Sequence, residues 1–442
     1  MQKNEKVYGI CTGYTHDGHG VVKINGFPLF VKGMMKGEEG NLIVTLVKKT
    51  FGYARLMELT KSSDQRVTPP CPIAKSCGGC QLQHMSYEEQ LNFKKQKVQD
   101  VITRIAGLSL PVCDVLGMKE HHDSYRNKGQ IPVGIQKGNV VTGFYRINSN
   151  TIIDMDYCMI QSERINEVLK AMKALLVKYK NAEVFRHILI KHAFSSDEVM
   201  VVWIVRSFKI PHQEEMITEL TQSLPFIKSI VVNLNQRQDN VILGEKEKIV
   251  YGTRVIIDKI HDLQFSISSK SFYQVNPVQT EVLYGKAFEF AGLTGKETVL
   301  DLYCGVGTIS MFLAQKAKHV TGIEIVPQAI QDAKKNAELN EIDNIEFVCS
   351  DAATFAKSWS EQGRHPDVIV VDPPRKGCDE VTINSMVEMN PDRIVYVSCD
   401  PGTLARDLKI LEQKGYKAEI IQPVDMFPYT HHVETVNLIV KK

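Results

Sequence analysis

Short apolar runs alternate with longer stretches of helical periodicity from about residue 266 to the end of the chain. "ETVLDL", "HVTGIEI", "NIEFVCSD", "DVIVVDPP", "RIVYVSCD", "AEIIQPVD" and "VETVNLIV" read as strands, and the segments between them as helices. Strands that alternate with helices predict an open, mostly parallel α/β sheet over residues 266–442. Residues 1–60 follow a different rhythm, with apolar and polar positions alternating by twos and punctuated by Asp17-Gly18, His19-Gly20 and Asn25-Gly26. Such pairs supply the positive φ that tight hairpins require, so this stretch predicts a small OB-like β-barrel. "KSSDQRVTPP" (61–70) reads as a linker, and residues 61–265 as a mixed α+β central domain. Within that domain, residues 86–106 predict an amphipathic helix capped by Ser86, with Glu89 three residues on, while "EVMVVWIVRS" and "SIVVNLN" predict buried strands.

Composition adds limits. The chain has 442 residues, 43% of them hydrophobic and 24% charged, with a net charge of +2. An anionic partner must therefore be met by a local patch. The N-terminus has no signal-peptide pattern and no stretch approaches a membrane span, which predicts a cytoplasmic setting. Ten cysteines in a reducing compartment argue against a disulfide framework. Cys11, Cys113, Cys304, Cys349 and Cys378 are expected to be small buried apolar residues. The lysines and aromatics of residues 1–60 fit a barrel core with a solvated surface at least as well as a face that stacks bases.

The candidate chemistry sits at strand ends. In "DLYCGVGT" (301–308), Gly305 and Gly307 let the backbone approach a ligand where open α/β sheets bind one. The third glycine of a dinucleotide fingerprint is replaced by Ser310, and no Walker lysine follows, so a smaller adenosyl ligand is expected. Glu324 ends the next strand, placed to accept from ribose hydroxyls, and Asp351 ends the third, placed for the adenine amino group. Together they predict a pocket for S-adenosylmethionine. "DPPRKG" (372–377) ends the fourth strand, with Arg375 where amino-group methylases carry a base-stacking aromatic. Cys399 ends the fifth, before Asp400-Pro401-Gly402 and a helix opening near Thr403, whose N-terminus is expected to lower the thiol's pKa. A thiolate in a methyl-transfer pocket suits pyrimidine C5 methylation, where addition to C6 makes C5 nucleophilic and a base then removes the C5 proton. Glu434, just ahead of the last strand, is the candidate base.

"SFYQVNP" (271–277), "DLYCGVGT", "GIE", "DPPRKG", "SCDPGTLARDL" (398–408) and "HHVETV" (431–436) resemble the RNA (uracil-5-)-methyltransferases. The resemblance implies a Rossmann-like S-adenosylmethionine methyltransferase domain over residues 266–442. It assigns Cys399 as nucleophile, Glu434 as base, and Gln274, Tyr303, Glu324 and Asp372 as cofactor contacts, with Thr308 and Asp351 beside them. Thr308 departs from members that carry asparagine there. Cys71, Cys77 and Cys80 form a C-x5-C-x2-C run, to which Cys158 adds a fourth thiol. Ligand identity alone leaves iron–sulfur and zinc open. The pattern is similar to ribosomal-RNA members that carry a [4Fe-4S] cluster and an N-terminal TRAM barrel, which implies 23S rRNA with a flipped uridine as partner. Members acting on tRNA are expected to resemble the C-terminal half alone. The rivals are tRNA uracil-5 methylation, RNA cytosine-5 methylation, and a non-catalytic RNA-binding or ribosome-assembly factor.

Overall fold

In the computed structural model, which describes all 442 residues, the glycine-punctuated N-terminal segment closes into a barrel. Its strands are β1 (Lys6–Tyr14), β2 (Gly20–Ile24), β3 (Phe27–Val31), β4 (Glu39–Val47) and β5 (Gly52–Lys61), in the order β1-β2-β3-β5-β4. Asn25 and Gly26 both have positive φ, as a two-residue β2–β3 hairpin needs. The barrel core is aliphatic: Val22, Leu29, Val31, Met34, Leu42 and Val44, with Cys11. Phe27 packs against this core, but the other β3–β5 aromatics do not belong to it. Phe30, Phe51 and Tyr53 cluster at the surface, with Phe30 stacked on Phe51 at 5.2 Å and edge-on to Tyr53 at 5.7 Å. The polar linker after β5 is tied down by Arg66, whose guanidinium pairs with the buried carboxylate of Glu38.

Helix α1 (Tyr87–Val101) starts where the sequence places it, with the Ser86 hydroxyl accepting from the Glu89 amide. It ends sooner than expected, residues 102–106 winding as a wider π-turn. Glu89 does not complete a reciprocal capping box; its carboxylate accepts from the Tyr14 hydroxyl at 2.7 Å, joining α1 to the barrel. Val98, Ile102 and Ala106 pack into the same core as the C-terminal sheet. Lys94, fully buried on α1, pairs with the buried carboxylate of Asp425, which also accepts from the Tyr87 hydroxyl at 2.9 Å. Removing one member would leave a buried charge, so Lys94→Met is expected to cost about 3–5 kcal/mol in urea unfolding. A cost below about 1 kcal/mol would mean that water reaches Asp425.

The central domain is built on β6 (Lys128–Gln136), β7 (Asn139–Tyr145), β8 (Ile152–Asp154), β9 (Phe185–Ala193), β10 (Glu198–Val205), β11 (Ile227–Leu234) and β12 (Lys246–Gly252). They form one sheet in the order β12-β11-β10-β9-β6-β7-β8. Helices α2 (Glu163–Tyr179) and α3 (Gln213–Ser223) cover one face over Trp203 and Phe185. The other face, through Leu189, Met200 and Val202, shares a core with the hairpin β13 (Ile256–Ile260)–β14 (Leu263–Ile267) and with α4 (Pro277–Ala291).

The C-terminal region alternates as its pattern predicts. β15 (Thr298–Leu302), α5 (Thr308–Ala314), β16 (His319–Glu324), α6 (Pro327–Leu339), β17 (Ile345–Cys349), α7 (Ala352–Glu361), β18 (Val368–Val371), α8 (Glu380–Glu388), β19 (Arg393–Ser398), α9 (Pro401–Gln413), β20 (Tyr416–Val424) and β21 (Glu434–Lys441) follow in turn. The sheet order is β17-β16-β15-β18-β19-β21-β20, with β21 antiparallel to both neighbours. Strand order reverses beside β15, which places the ligand crevice at the carboxyl ends of β15 and β18.

Candidate active site

The crevice is lined by carboxylates. Asp301 is buried at the end of β15, where it accepts from the Ser310 hydroxyl and is held up to about 7 by burial. Asp372, just after β18, is likewise raised to about 7, by burial and by the charge of Asp301. Glu324 ends β16, with its carboxylate accepting from the amides of Gly305 at 3.2 Å and Val326 at 2.9 Å. Gly307 has φ +82, and a Cβ there would lie 2.7 Å from the Phe347 ring, so the loop admits no side chain. Beyond Glu324, Ile325 and Val326 are 61% and 50% exposed, an apolar ledge suited to one face of a purine. Such a pocket favours a cationic adenosyl ligand.

The remaining expected contacts divide. Thr308 opens α5, and its hydroxyl lies 3.3 Å from that of Tyr284. Tyr284, buried on α4, also meets Gln274 and feels the charges of Asp372 and Asp301. It belongs to this site and was missed in the sequence, where it reads as one more apolar helix position. Gln274 sits in a loop pinned by Asn127, which donates to its carbonyl at 3.0 Å, and by the buried Lys191, which donates to the carbonyls of Ser268 and Ser271. Phe272 in that loop is 64% exposed, another residue the sequence did not single out. Tyr303 has φ +90, a strained conformation for a tyrosine. Asp351 is exposed and caps α7, accepting from the Thr354 amide and hydroxyl.

The thiol end of the crevice departs from expectation. Helix α9 opens at Pro401, not Thr403, and Asp400 is its cap, accepting from the amides of Gly402 at 2.9 Å and Thr403 at 3.2 Å. That carboxylate offsets the positive end of the helix, so the predicted lowering of the Cys399 pKa fails. Instead the thiol is pushed up to about 12, first by burial and then by the carboxylates of Glu434 and Asp372; only Arg375 opposes them. Glu434 is the first residue of β21 rather than lying ahead of it. The β19–β21 ladder pairs Ser398 with Thr435, so one step further Cys399 faces Glu434 across the sheet. Glu434 is buried and raised to about 8 by burial and the charge of Asp372. A high-pKa carboxyl thus faces a thiol, within reach of one exposed cation.

The other cysteines sort less simply. Cys11, Cys304 and Cys378 are buried as expected, but Cys349 is exposed and Cys113 partly so, because both lie at edges rather than within cores. Cys71, Cys77, Cys80 and Cys158 are gathered from separate segments. Burial and the neighbouring thiols push Cys80 up to about 12 and Cys158 to about 11. No three His, Cys, Asp or Glu side chains converge closely enough to hold a metal ion as they stand. The donor set itself, partly buried and all sulfur, still fits an iron–sulfur group.

A cleft of about 990 Å³ separates the barrel from α1. Tyr14, Phe30, Tyr53, Lys23, Lys97 and Arg104 line it. At its inner end the Lys97 ammonium donates to the His431 carbonyl at 2.8 Å and feels the charges of Asp400 and Arg375. The aromatic and basic side chains of the barrel therefore face a groove that leads toward Cys399. No helix is long and apolar enough to cross a membrane.

Comparison with known proteins agrees with this geometry. Residues 86–442 match the tRNA (Uracil-5-)-methyltransferase family model. An uncharacterized RNA methyltransferase of Halalkalibacterium halodurans is 48% identical over 448 residues, covering 99% of this chain and 98% of that protein. One from Listeria innocua is 45% identical over 450 residues, covering 100% and 99%. The crystal structure of the Pyrococcus abyssi tRNA (uracil-54, C5)-methyltransferase with S-adenosyl-L-homocysteine superposes with a TM-score of 0.78 at 28% identity, over 98% of this chain and 100% of that one. A tRNA methyltransferase therefore shares the whole architecture. The expectation that tRNA enzymes resemble only the C-terminal half is overturned.

Proposed function

This chain belongs to the tRNA (uracil-5-)-methyltransferase family and is an S-adenosylmethionine-dependent RNA methyltransferase, and from that premise we propose that it makes 5-methyluridine in 23S rRNA through a covalent adduct at Cys399. The observation that carries the chemistry is Cys399 facing the buried Glu434 across the β19–β21 ladder. S-adenosylmethionine, when bound, supplies an electrophilic methyl group on a cationic sulfonium. Cys399 Sγ adds to C6 of the flipped uracil, and the electron pair moves onto the ring to make C5 nucleophilic. Arg375 favours the thiolate that this step needs. Once C5 carries the methyl group, Glu434 removes the C5 proton, the C6–S bond breaks and the thiolate leaves. Asp301, Glu324 and Asp372 would hold the donor's cationic and hydroxyl groups, and Gln274, Tyr303, Thr308 and Asp351 would border it. A cytosine-5 assignment lacks support, since Arg375 follows the two prolines where those enzymes carry a cysteine.

The substrate assignment rests on the resemblance of the four-cysteine run and barrel to ribosomal-RNA members. A TRAM role for the barrel is supported by its surface aromatics and by the cleft against α1. The second reading, tRNA, is favoured by the full-length likeness to the Pyrococcus abyssi enzyme. Mass-spectrometric mapping of 5-methyluridine in cells with and without the gene separates them. Loss of one or two methyls from 23S rRNA, with tRNA unchanged, is the expected result. Loss from tRNA alone would reverse the assignment, and no loss from either would favour a binding or assembly factor.

Cys71, Cys77, Cys80 and Cys158 would hold a [4Fe-4S] cluster, with a structural role because methyl transfer moves no net electrons. Protein purified without oxygen is expected to be brown, absorbing broadly near about 400 nm, with iron that is lost on Cys80→Ser substitution. Stoichiometric zinc without iron would replace the cluster with a zinc site.

A further inference from the structure

A second polar cavity, of about 680 Å³, opens at one end of the central sheet. Arg186 and His187 enter it from the start of β9, Arg206 from just beyond β10, and Arg237 from the β11–β12 connection. None of these residues lies in the crevice around Cys399. Three guanidinium groups meet one carboxylate there, Asp239, already paired with Arg237. Arg186 donates through Nη2 to the Asp239 carbonyl, and Arg206 through Nη1 to the carbonyls of Glu183 and Phe185.

Two polar atoms are left over. Arg186 Nη1 and His187 Nδ1 are both buried and have no hydrogen-bond partner, and His187 is only 7% exposed. Buried groups of this kind destabilise a fold unless something satisfies them. A guanidinium can only donate, and a histidine between Arg186 and Arg206 is held neutral, its pKa lowered to about 4 mainly by burial and then by those two charges. A ligand that brings acceptor oxygens and negative charge satisfies Arg186 Nη1, and His187 Nδ1 in the tautomer that carries its proton there. The cavity rim adds Tyr145, 42% exposed, and the side-chain amides of Asn150 and Gln238. An aromatic face and amides beside surplus guanidinium groups suit a nucleotide better than a bare anion. The same wall touches the cysteine loop, with the Gly78 amide donating to the Tyr145 carbonyl at 3.4 Å and the Ile147 amide to the Ser76 carbonyl at 3.0 Å.

We infer that this cavity is a second RNA site, in which Arg186, His187 and Arg206 bind a backbone phosphate of single-stranded substrate and Tyr145 stacks the adjoining base. The inference rests on the chain's action on RNA, but not on which uridine it methylates. It accounts for arginines that lie outside the crevice around Cys399.

The test measures binding of a 12-nucleotide oligouridylate and, separately, of inorganic phosphate to the full-length protein across a salt series. Arg186→Gln combined with Arg206→Gln is expected to weaken oligouridylate binding by about tenfold or more. The slope of log affinity against log salt should shrink by about 0.7, the value for one phosphate contact on a single strand. Binding of S-adenosylmethionine should stay as in the wild type. Tyr145→Ala, a surface change, is expected to cost about fivefold or more through lost stacking, and it decides the matter if the arginine variant does not fold. Unchanged oligouridylate affinity and salt slope in the folded variants would overturn the site. So would loss of phosphate binding alone, which would assign the cavity to a free anion. Loss of oligouridylate affinity in a protein that methylates no uridine in cells would sink the uridine assignment and leave this site standing.

Discussion

Cys399→Ala protein is expected to bind S-adenosylmethionine and RNA as the wild type does but to transfer no methyl group, a loss of about 10⁴-fold or more. C5 of uracil is too weakly nucleophilic to attack a sulfonium methyl until a nucleophile has added at C6. No other thiol can substitute, because none shares the end of β19 with Cys399. Cys399→Ser is expected to fail nearly as badly, since an alkoxide would have to form beside Glu434 and Asp372. Filter-based methyl transfer from labelled donor, with binding measured separately, checks both halves of the expectation. A Cys399→Ala variant that methylated at the wild-type rate would end the covalent mechanism.

Glu434→Gln is expected to divide the reaction. Addition at C6 and methyl transfer precede the base, so the variant should accumulate an RNA–protein adduct that survives denaturing electrophoresis, while turnover falls by about 10³-fold or more. Absence of any adduct, with turnover intact, would assign the proton abstraction elsewhere. The wild-type rate should climb as pH rises through about 8, where the Glu434 carboxyl becomes a base. Stability should move the opposite way. A carboxyl held at about 8 in the fold, against an ordinary value of 4.5, favours folding fully below pH 4.5 and loses that contribution as pH rises through 8. Each pH unit in that window is worth about 1.4 kcal/mol for one such group. Asp301 and Asp372, both raised to about 7, act in the same sense. Glu434→Gln protein is therefore expected to melt higher than the wild type at pH 9 and no higher at pH 4.5. The site keeps carboxylates in a place that the fold alone would not favour.

Much of this was legible in the residues themselves, for a local reason. A strand followed by a glycine turn, a diproline or a cysteine is written in consecutive letters, and open parallel sheets put their ligands at the ends of such strands. The alternation after residue 266, the hairpin at Asn25-Gly26, the Ser86 cap and the strand-end positions of Glu324, Asp372 and Cys399 follow from period and turn chemistry alone. Cys399 and Glu434 could be named as nucleophile and base from the residues but not set face to face, since 35 positions of chain separate them and their meeting depends on β21 inserting antiparallel beside β19.

What tertiary structure decided is electrostatic and long-range. Whether the end of α9 would lower a thiol's pKa turned on Asp400 capping it and on two carboxylates arriving from β18 and β21. Tyr284 joined the cofactor crevice only because α4 packs over the β15 loop, and Lys94 met Asp425 across 331 positions of sequence. The barrel's aromatics became a groove wall once α1 lay against them. The arginines of the central cavity come from the start of β9 and from two separate connections, and form no motif at all. Spacing along the chain specifies the elements and the residues they deliver; burial and the charges brought beside each residue by the fold determine its protonation and partners.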